Sequence, residues 1–147
     1  MEASDTITSC LTSDSFKIRG SFDCTSQHVV YVVTCLKCWV QGVGECSSPL
    51  SRLSTYIRAV EDHPPDQSCA IHKHFAEADH RPEDLSFCIV AGLPPRLLAK
   101  PALIPALRKR LEFIWIHRLG AVLNKRRFLW HSFSGDYAAR NEATRDE

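Results

Sequence analysis

The distribution of apolar and polar residues along the chain predicts three β-strands. Residues 28–35, HVVYVVTC, form an unbroken apolar and β-branched run, which is typical of a buried strand. Residues 39–45, WVQGVGE, predict a second strand after a tight turn, and residues 85–90, LSFCIV, predict a third. Residues 1–20 show no apolar period, so we expect them to form a poorly ordered tail.

Helices are predicted between and after these strands. The segment PLSRLSTYIRAVED, which begins at Pro49, puts apolar residues near one face, with Ser47 or Ser48 as its cap. HPPDQ ends that helix, and CAIHKHFAEADH then predicts a short one. Residues 103–120 predict the longest helix, with Gly120 as its end.

The order of these elements predicts the fold class. It indicates one α/β (α+β) domain over residues 21–131, in which a small antiparallel sheet of about three strands is flanked by helices. Residues 132–147 are expected to form a C-terminal tail. The length of 147 residues suits a single domain, and 44% hydrophobic with 24% charged residues is typical of a globular protein.

Three features bear on the cellular compartment. No apolar run approaches about 18 residues, the length that a membrane span needs. The N-terminus lacks the basic start and apolar stretch of a secretory signal. The seven cysteines are an odd number, which argues against a complete disulfide framework. We therefore expect an intracellular protein whose thiols stay reduced.

Cys35 and Cys38 have the spacing of a zinc knuckle, in which two thiolates need a second ligand pair to complete a tetrahedron. Downstream, AIHKHFAEADH supplies three histidines. His74 and His80 are the preferred pair, because His72 would point away from His74 on a helix. The set then resembles a Cys₂His₂ zinc site with a gap of about 35 residues between its halves.

Other interpretations of these cysteines stay open. Both could be ordinary small residues at the end of a strand, with the histidines exposed to solvent. A thioredoxin-like redox motif fits less well, because no helix is predicted to begin at the pair. Cys24, in SFDCTSQ, is a weaker candidate ligand.

The predicted hairpin carries two short motifs. Tyr31 closes the first strand, a cysteine-bearing turn follows, and Gly42-Val43-Gly44 lies on the second strand. This arrangement resembles the paired strands of GIY-YIG nucleases. With two cysteines between the motifs and two histidines beyond the next helix, it is similar to the zinc-containing CCHH variant found in Penelope-like retroelements.

The resemblance continues downstream and covers the chain from about Ser21 to Asn124. Arg52 falls where that family carries an arginine on the next helix, and Tyr56 falls where it has a histidine or tyrosine. Glu112 falls at the position of the family's metal-binding glutamate on a later helix. Asn124 ends a Leu-Asn pair that the family often shows.

The resemblance implies a metal-dependent DNA endonuclease that nicks one strand by phosphodiester hydrolysis. Tyr31 or Tyr56 would act as general base, and Arg52 would bind the phosphate as negative charge builds. Glu112 would hold a catalytic Mg²⁺ or Mn²⁺, while the Cys₂His₂ set holds a structural zinc. These four residues are then expected to face one shallow, solvent-accessible groove. The chain would be a stand-alone copy of a retroelement domain.

Two departures from the family pattern support a different function. The first triplet, Val29-Val30-Tyr31, lacks the family's glycine, and Gly42 stands where the second triplet has its tyrosine. The alternative is a catalytically inactive, zinc-stabilised DNA-binding or protein-interaction module. If the chain is a nuclease, Gly42→Tyr should raise nicking or leave it unchanged.

Basic residues in the C-terminal third predict DNA as the partner. They lie mainly in the runs RKR and KRR, and the candidate DNA contacts are Arg108, Lys109, Arg110, Asn124, Lys125, Arg126 and Arg127. Such residues predict salt-sensitive binding to phosphates with little sequence preference. A DNA-binding function in turn predicts a nuclear location.

Overall fold

The computed structural model describes residues 4–65, 69–77 and 79–124, and in that part it is a mixed α+β fold, as the sequence predicts. The strands are β1 (Thr6–Thr8), β2 (Ser15–Lys17), β3 (Val29–Cys35), β4 (Val40–Cys46) and β5 (Leu85–Gly92). The helices are α1 (Pro49–Asp62), α2 (Ala70–Phe75), α3 (Pro95–Leu98) and α4 (Ile104–Leu119), with single 3₁₀ turns at Pro82–Asp84, Pro101–Leu103 and Val122–Asn124. The tail predicted at 132–147 lies outside the described residues.

The N-terminal segment is an ordered hairpin. β1 and β2 pair antiparallel, with Ile7 opposite Phe16, and both side chains pack against the core. Ser9 Oγ also donates a hydrogen bond of 2.7 Å to the carbonyl of Leu119. The tail predicted at residues 1–20 is therefore wrong for its described part, because strands of three residues are too short to show an apolar period.

The central sheet has three antiparallel strands in the order β4-β3-β5. β3 lies in the middle and is buried along its whole length, which explains its unbroken apolar run. In its register with β4, Tyr31 is opposite Gly44 and Cys35 is opposite Val40. The hairpin turn thus lies directly after Cys35.

Different helices cover the two faces of this sheet. Alternate residues of β3 pack against α1, in a cluster that includes Val29, Tyr31, Val33, Tyr56 and Val60. The intervening residues pack against α4, in a cluster that includes Val30, Val32, Val43, Trp115 and Leu119. α1 and α4 therefore lie on opposite faces, because successive strand residues point to opposite sides.

The helix boundaries follow local signals. α1 begins after Ser48, whose hydroxyl accepts a bond from the Ser51 amide at 3.4 Å, with Pro49 in the first turn. α4 ends at Gly120, which has a φ of 56°. In the part of the chain that the structure describes, no helix is long and apolar enough to cross a membrane.

Asn124 closes the outer edge of the sheet. Its side-chain oxygen accepts a bond of 2.6 Å from the Val43 amide, and its Nδ2 donates one of 2.7 Å to the Val43 carbonyl. A single side chain thus satisfies both backbone groups of an edge-strand residue, in place of a fourth strand. The prediction that Asn124 contacts DNA is wrong, because its amide is buried and already paired.

Candidate metal centre and adjoining cleft

The turn between β3 and β4 shapes the first half of a candidate metal site. Cys35 is the last residue of β3, and its Sγ accepts a bond from the Cys38 amide at 3.3 Å. The Trp39 amide donates to the Cys35 carbonyl at 2.8 Å. Trp39 has a φ of 56°, a left-handed conformation that turns the chain back into β4.

The second half of the site comes from α2 and the loop after it. His74 lies near the end of α2, and the buried His80 lies beyond it, before β5. His80 Nε2 is 3.4 Å from Cys38 Sγ, and the rings of His74 and His80 are 4.5 Å apart. Cys35, Cys38, His74 and His80 each offer a ligand atom, and these atoms all lie within 4.8 Å of one another.

The chemistry of this group suits a metal ion. Zinc bonds to sulfur at about 2.3 Å and to nitrogen at about 2.0 Å, so a tetrahedral site holds S and N about 3.5 Å apart, close to the spacing of Cys38 and His80. His74 Nε2 is buried without a hydrogen-bond partner. Burial and the neighbouring His80 lower the pKa of His74, which favours the neutral imidazole that binds metals. The four predicted ligands could therefore hold a metal ion, and the donor set is compatible with zinc.

The other candidate ligands lie away from this group. His72 Nε2 is 3.1 Å from Thr55 Oγ1, and its ring stacks on Tyr56 with centroids 4.3 Å apart. This agrees with the expectation that His72 points away from His74. Cys24 is exposed and does not belong to the group.

Lys37 and Asp79 connect the two halves of the site. Lys37, inside the CxxC turn, donates a bond of 2.6 Å to the Asp79 carbonyl and contacts its carboxylate Oδ2 at 3.0 Å. Oδ1 of the same carboxylate is 3.1 Å from His80 Nδ1. Hydrogen bonding to Lys37 also lowers the pKa of Asp79, which keeps the carboxylate ionised.

A cleft opens beside the start of α1. It has a volume of about 300 Å³ and is lined by Cys46, Ser47, Ser48, Ser51, Arg52, Thr55 and His72. Arg52 interacts with Tyr31 and Tyr56, whose hydroxyls are hydrogen-bonded to each other at 2.8 Å. Burial lowers the pKa of Arg52, but Tyr31, Tyr56 and Cys46 raise it, and the pKa lies above its ordinary value. Three of the four predicted catalytic residues thus lie together on the α1 side of the sheet.

Both tyrosines are unsuited to act as bases. Each side chain is buried, with only 1% of its residue surface exposed. Burial, followed by the charge and hydrogen bond of Tyr56, raises the pKa of Tyr31 far above its ordinary value. Burial also raises the pKa of Tyr56, to about 12. Near neutral pH both hydroxyls therefore stay protonated.

Glu112 lies apart from these residues. It has 1% of its surface exposed, and its Oε2 contacts Lys109 Nζ at 3.1 Å. It is three residues before Trp115 and seven before Leu119, so it shares the stripe of α4 that packs on the other face of the sheet. The expectation that Tyr31, Arg52, Tyr56 and Glu112 face one open groove is therefore wrong, because only Arg52 lines the cleft.

The position of the missing tyrosine is filled by other residues. A Cβ atom added to Gly42 would lie 2.6 Å from the Ile71 side chain and 3.2 Å from that of Leu123. Both neighbours belong to the packed core around Tyr31. A phenol ring fits there only if those side chains are displaced, so the expected gain or retention of activity in Gly42→Tyr would require the core to repack.

The predicted DNA contacts have varied surroundings. Arg108 Nε pairs with Glu45 Oε2 at 2.8 Å, and Lys109 Nζ contacts Glu45 Oε1 at 3.2 Å. The guanidinium of Arg108 is mostly buried, so it is not the free phosphate contact that its basic run predicts. Arg110 is exposed on α4. Lys125, Arg126 and Arg127 lie outside the described residues.

Sequence reasoning missed the polar lining of the cleft and the partners of the candidate metal ligands. The cleft residues that it missed are Cys46, Ser47, Ser48, Ser51, Thr55 and His72. The spacing of Thr55 from Arg52 on a helix was a usable signal, because residues three apart share a face. Nothing in the sequence links Lys37 to Asp79, since that contact exists only once the hairpin and the histidine loop have folded together.

Comparison of the chain with protein-family models, curated proteins and solved structures finds no match.

Proposed function

We propose that this protein is a zinc-stabilised nucleic-acid-binding module that holds a backbone phosphate of DNA in the cleft beside Arg52 and does not cleave it. The observation that carries this proposal is the composition of the cleft. One guanidinium, several hydroxyls and the first turn of a 14-residue helix meet there. The carboxylate that would bind a catalytic metal is buried elsewhere.

The cleft has the chemistry of a phosphate site. Arginine forms paired, charge-assisted hydrogen bonds with phosphate oxygens. Serine and threonine hydroxyls are common phosphate donors in protein–DNA contacts. The N-terminus of α1 adds the partial positive charge of the helix dipole. Together these groups favour an anion and carry no means of reading a base sequence.

The metal at the Cys₂His₂ site is proposed to be zinc with a structural role. Four protein ligands complete a tetrahedron and leave no position for water or substrate, as in structural zinc sites. In this role the ion fixes the β3–β4 turn to the segment around α2. His72, at the wall of the cleft, lies in that same segment, so zinc also positions the cleft.

Metal-dependent hydrolysis of DNA is the second candidate function. The observation that favours it is the grouping of Arg52 with the Tyr31 and Tyr56 hydroxyls, which the resemblance to GIY-YIG nucleases implies. The residues do not fit a catalytic Mg²⁺ or Mn²⁺ as described, because Glu112 is buried and paired with Lys109 on the α4 side. We therefore place binding ahead of hydrolysis.

The binding proposal is tested by replacing Arg52. Arg52→Ala is expected to weaken the affinity for a labelled DNA duplex about tenfold to a hundredfold, because a charge-assisted bond contributes about 1.5–3 kcal/mol. It should also lower the slope of log affinity against log salt by about one. The DNA affinity of Arg52→Lys should lie between those of the wild type and Arg52→Ala, since lysine keeps the charge but not the paired contact. Fluorescence anisotropy across a salt series measures both quantities.

Arg58 provides the matched control for this experiment. It is an exposed arginine on the same helix and does not line the cleft, so Arg58→Ala should change affinity far less. Equal losses in the two variants would mean that DNA responds only to overall charge. Absence of binding even at low salt would reject the proposal altogether.

A further inference from the structure

We propose that Asp79, held in place by Lys37, is a positioning residue for the metal site: it orients His80 and so strengthens metal binding. The inference rests on the proposed zinc site and concerns residues that bind no metal themselves. It follows from a chain of contacts that runs from the CxxC turn through Lys37 and Asp79 to His80, and returns to the turn at Cys38.

The two nitrogens of His80 face different partners. Nδ1 lies 3.1 Å from Asp79 Oδ1, and Nε2 lies 3.4 Å from Cys38 Sγ. The contact between Nδ1 and Oδ1 is close, but it is not aligned as a hydrogen bond. Because the neighbouring carboxylate oxygen is an acceptor, it favours the tautomer whose ring proton is on Nδ1. Nε2 then presents its lone pair to the other three ligands. Metal-binding histidines commonly use a carboxylate in this way, and it also makes the bound nitrogen more basic.

The aspartate is itself held from the other half of the site. Lys37 Nζ donates to both the carbonyl and the Oδ2 of Asp79, which leaves Oδ1 for His80. Lys37 lies between Cys35 and Cys38, so its ammonium ties the histidine loop to the cysteine turn without using a metal bond. The ligands are thereby brought near their final spacing before the ion arrives, which reduces the ordering that binding must supply.

Exposure determines which measurement reveals this role. Asp79 keeps 65% of its side-chain surface exposed and Lys37 keeps 42%, whereas the His80 side chain is fully buried. An exposed ion pair contributes little to folding stability. The effect of Asp79 should therefore appear in metal affinity and ligand geometry more than in the stability of the metal-free protein.

The experiment measures zinc affinity by competition with a chromogenic chelator. Asp79→Ala should weaken zinc binding about tenfold to a hundredfold, the range found when such outer partners are removed. Asp79→Asn keeps an acceptor for the His80 ring proton and should lose less zinc affinity than Asp79→Ala. Lys37→Met should lose less zinc affinity than Asp79→Ala, because the Asp79 carboxylate itself remains. The visible spectrum of the Co²⁺-substituted protein supplies a second readout, since the absorption bands shift when the Cys₂His₂ geometry relaxes.

Glu77 is the matched control. It is an exposed carboxylate in the same loop, and Glu77→Ala removes the same charge as Asp79→Ala. Glu77, Asp79 and His80 also form a group that could itself hold a metal ion. Two zinc ions per wild-type chain, with one lost in both carboxylate variants, would make Asp79 a ligand and overturn the inference.

The remaining outcomes separate this inference from the zinc site on which it rests. If the wild-type chain binds no zinc, the proposed site itself fails, and this inference fails with it. If the wild-type chain binds one zinc and Asp79→Ala retains its affinity within about twofold, the site stands and only the role of Asp79 is rejected. Equal losses in Asp79→Ala and Glu77→Ala would also reject it, because charge alone would explain the result.

Discussion

Replacing Cys35 by serine or His80 by alanine is expected to abolish zinc binding at the proposed site and to lower Tm by roughly 10 °C or more. The reason is the size of the metal's contribution. Structural zinc binds with about 10–16 kcal/mol in zinc-finger peptides, which is comparable to the entire free energy of unfolding of a domain, about 5–15 kcal/mol. The wild-type chain should contain one zinc ion, measurable by elemental analysis of the purified protein.

The segment around α2 should respond most strongly to loss of the metal. α2 has only six residues, too few to be stable as an isolated helix, yet its Ile71 and Phe75 belong to the core on the α1 side. Cys24→Ser is the matched control, because Cys24 is an exposed free thiol outside the metal group. A wild-type chain without zinc, or an equal fall in Tm for Cys24→Ser, would contradict the assignment.

Gly42→Tyr is expected to destabilise the protein by about 3 kcal/mol or more, and so to lower Tm by roughly 10 °C. The position is buried, and even the first added carbon would lie 2.6 Å from the Ile71 side chain. The phenol ring must displace Ile71 and Leu123 from a packed cluster. Chemical denaturation of the two proteins, with the denaturant slope compared between them, measures the loss.

A double-mutant cycle separates a steric cause from other causes. Ile71→Ala alone should cost about 2–5 kcal/mol, because it leaves a cavity beside Gly42. In the Gly42→Tyr/Ile71→Ala protein the ring can enter that cavity. The double variant should therefore lose less free energy of unfolding than the sum of the losses in the two single variants. If the two losses in free energy of unfolding are additive, Ile71 does not occupy the space that the tyrosine ring of Gly42→Tyr would need. A Gly42→Tyr protein as stable as the wild type would contradict the described packing.

The extent to which the sequence predicted the fold depends on the length of each element. The central hairpin, α1, β5 and α4 have clear signals, because long apolar runs, a proline in the first turn of a helix and a terminal glycine act locally. The N-terminal hairpin was missed, since it gains its stability from contacts with α4 and β4 that are distant in sequence. The four residues of the candidate metal site were found because cysteine and histidine spacing is specific.

The environments of the predicted catalytic residues could not be read from the sequence. Glu112 stands beside exposed Phe113 and Ile114, so the sequence does not reveal that the carboxylate, rather than those apolar side chains, faces inward. Its burial depends on Lys109, which in turn pairs with Glu45 on a distant strand. Buried charges are retained only where such partners exist, and partners are fixed by the tertiary fold.

Nicking of supercoiled plasmid DNA, measured with Mg²⁺ or Mn²⁺ at a protein concentration that saturates binding, tests the central claim most directly. The assay should compare the wild-type protein with Glu112→Ala, after both are shown to contain zinc and to bind DNA. If the protein binds DNA without cleaving it, neither protein should convert the plasmid to its nicked circle above the level of a protein-free control. Metal-dependent nicking by the wild type that disappears in Glu112→Ala would contradict this account and would favour the nuclease function.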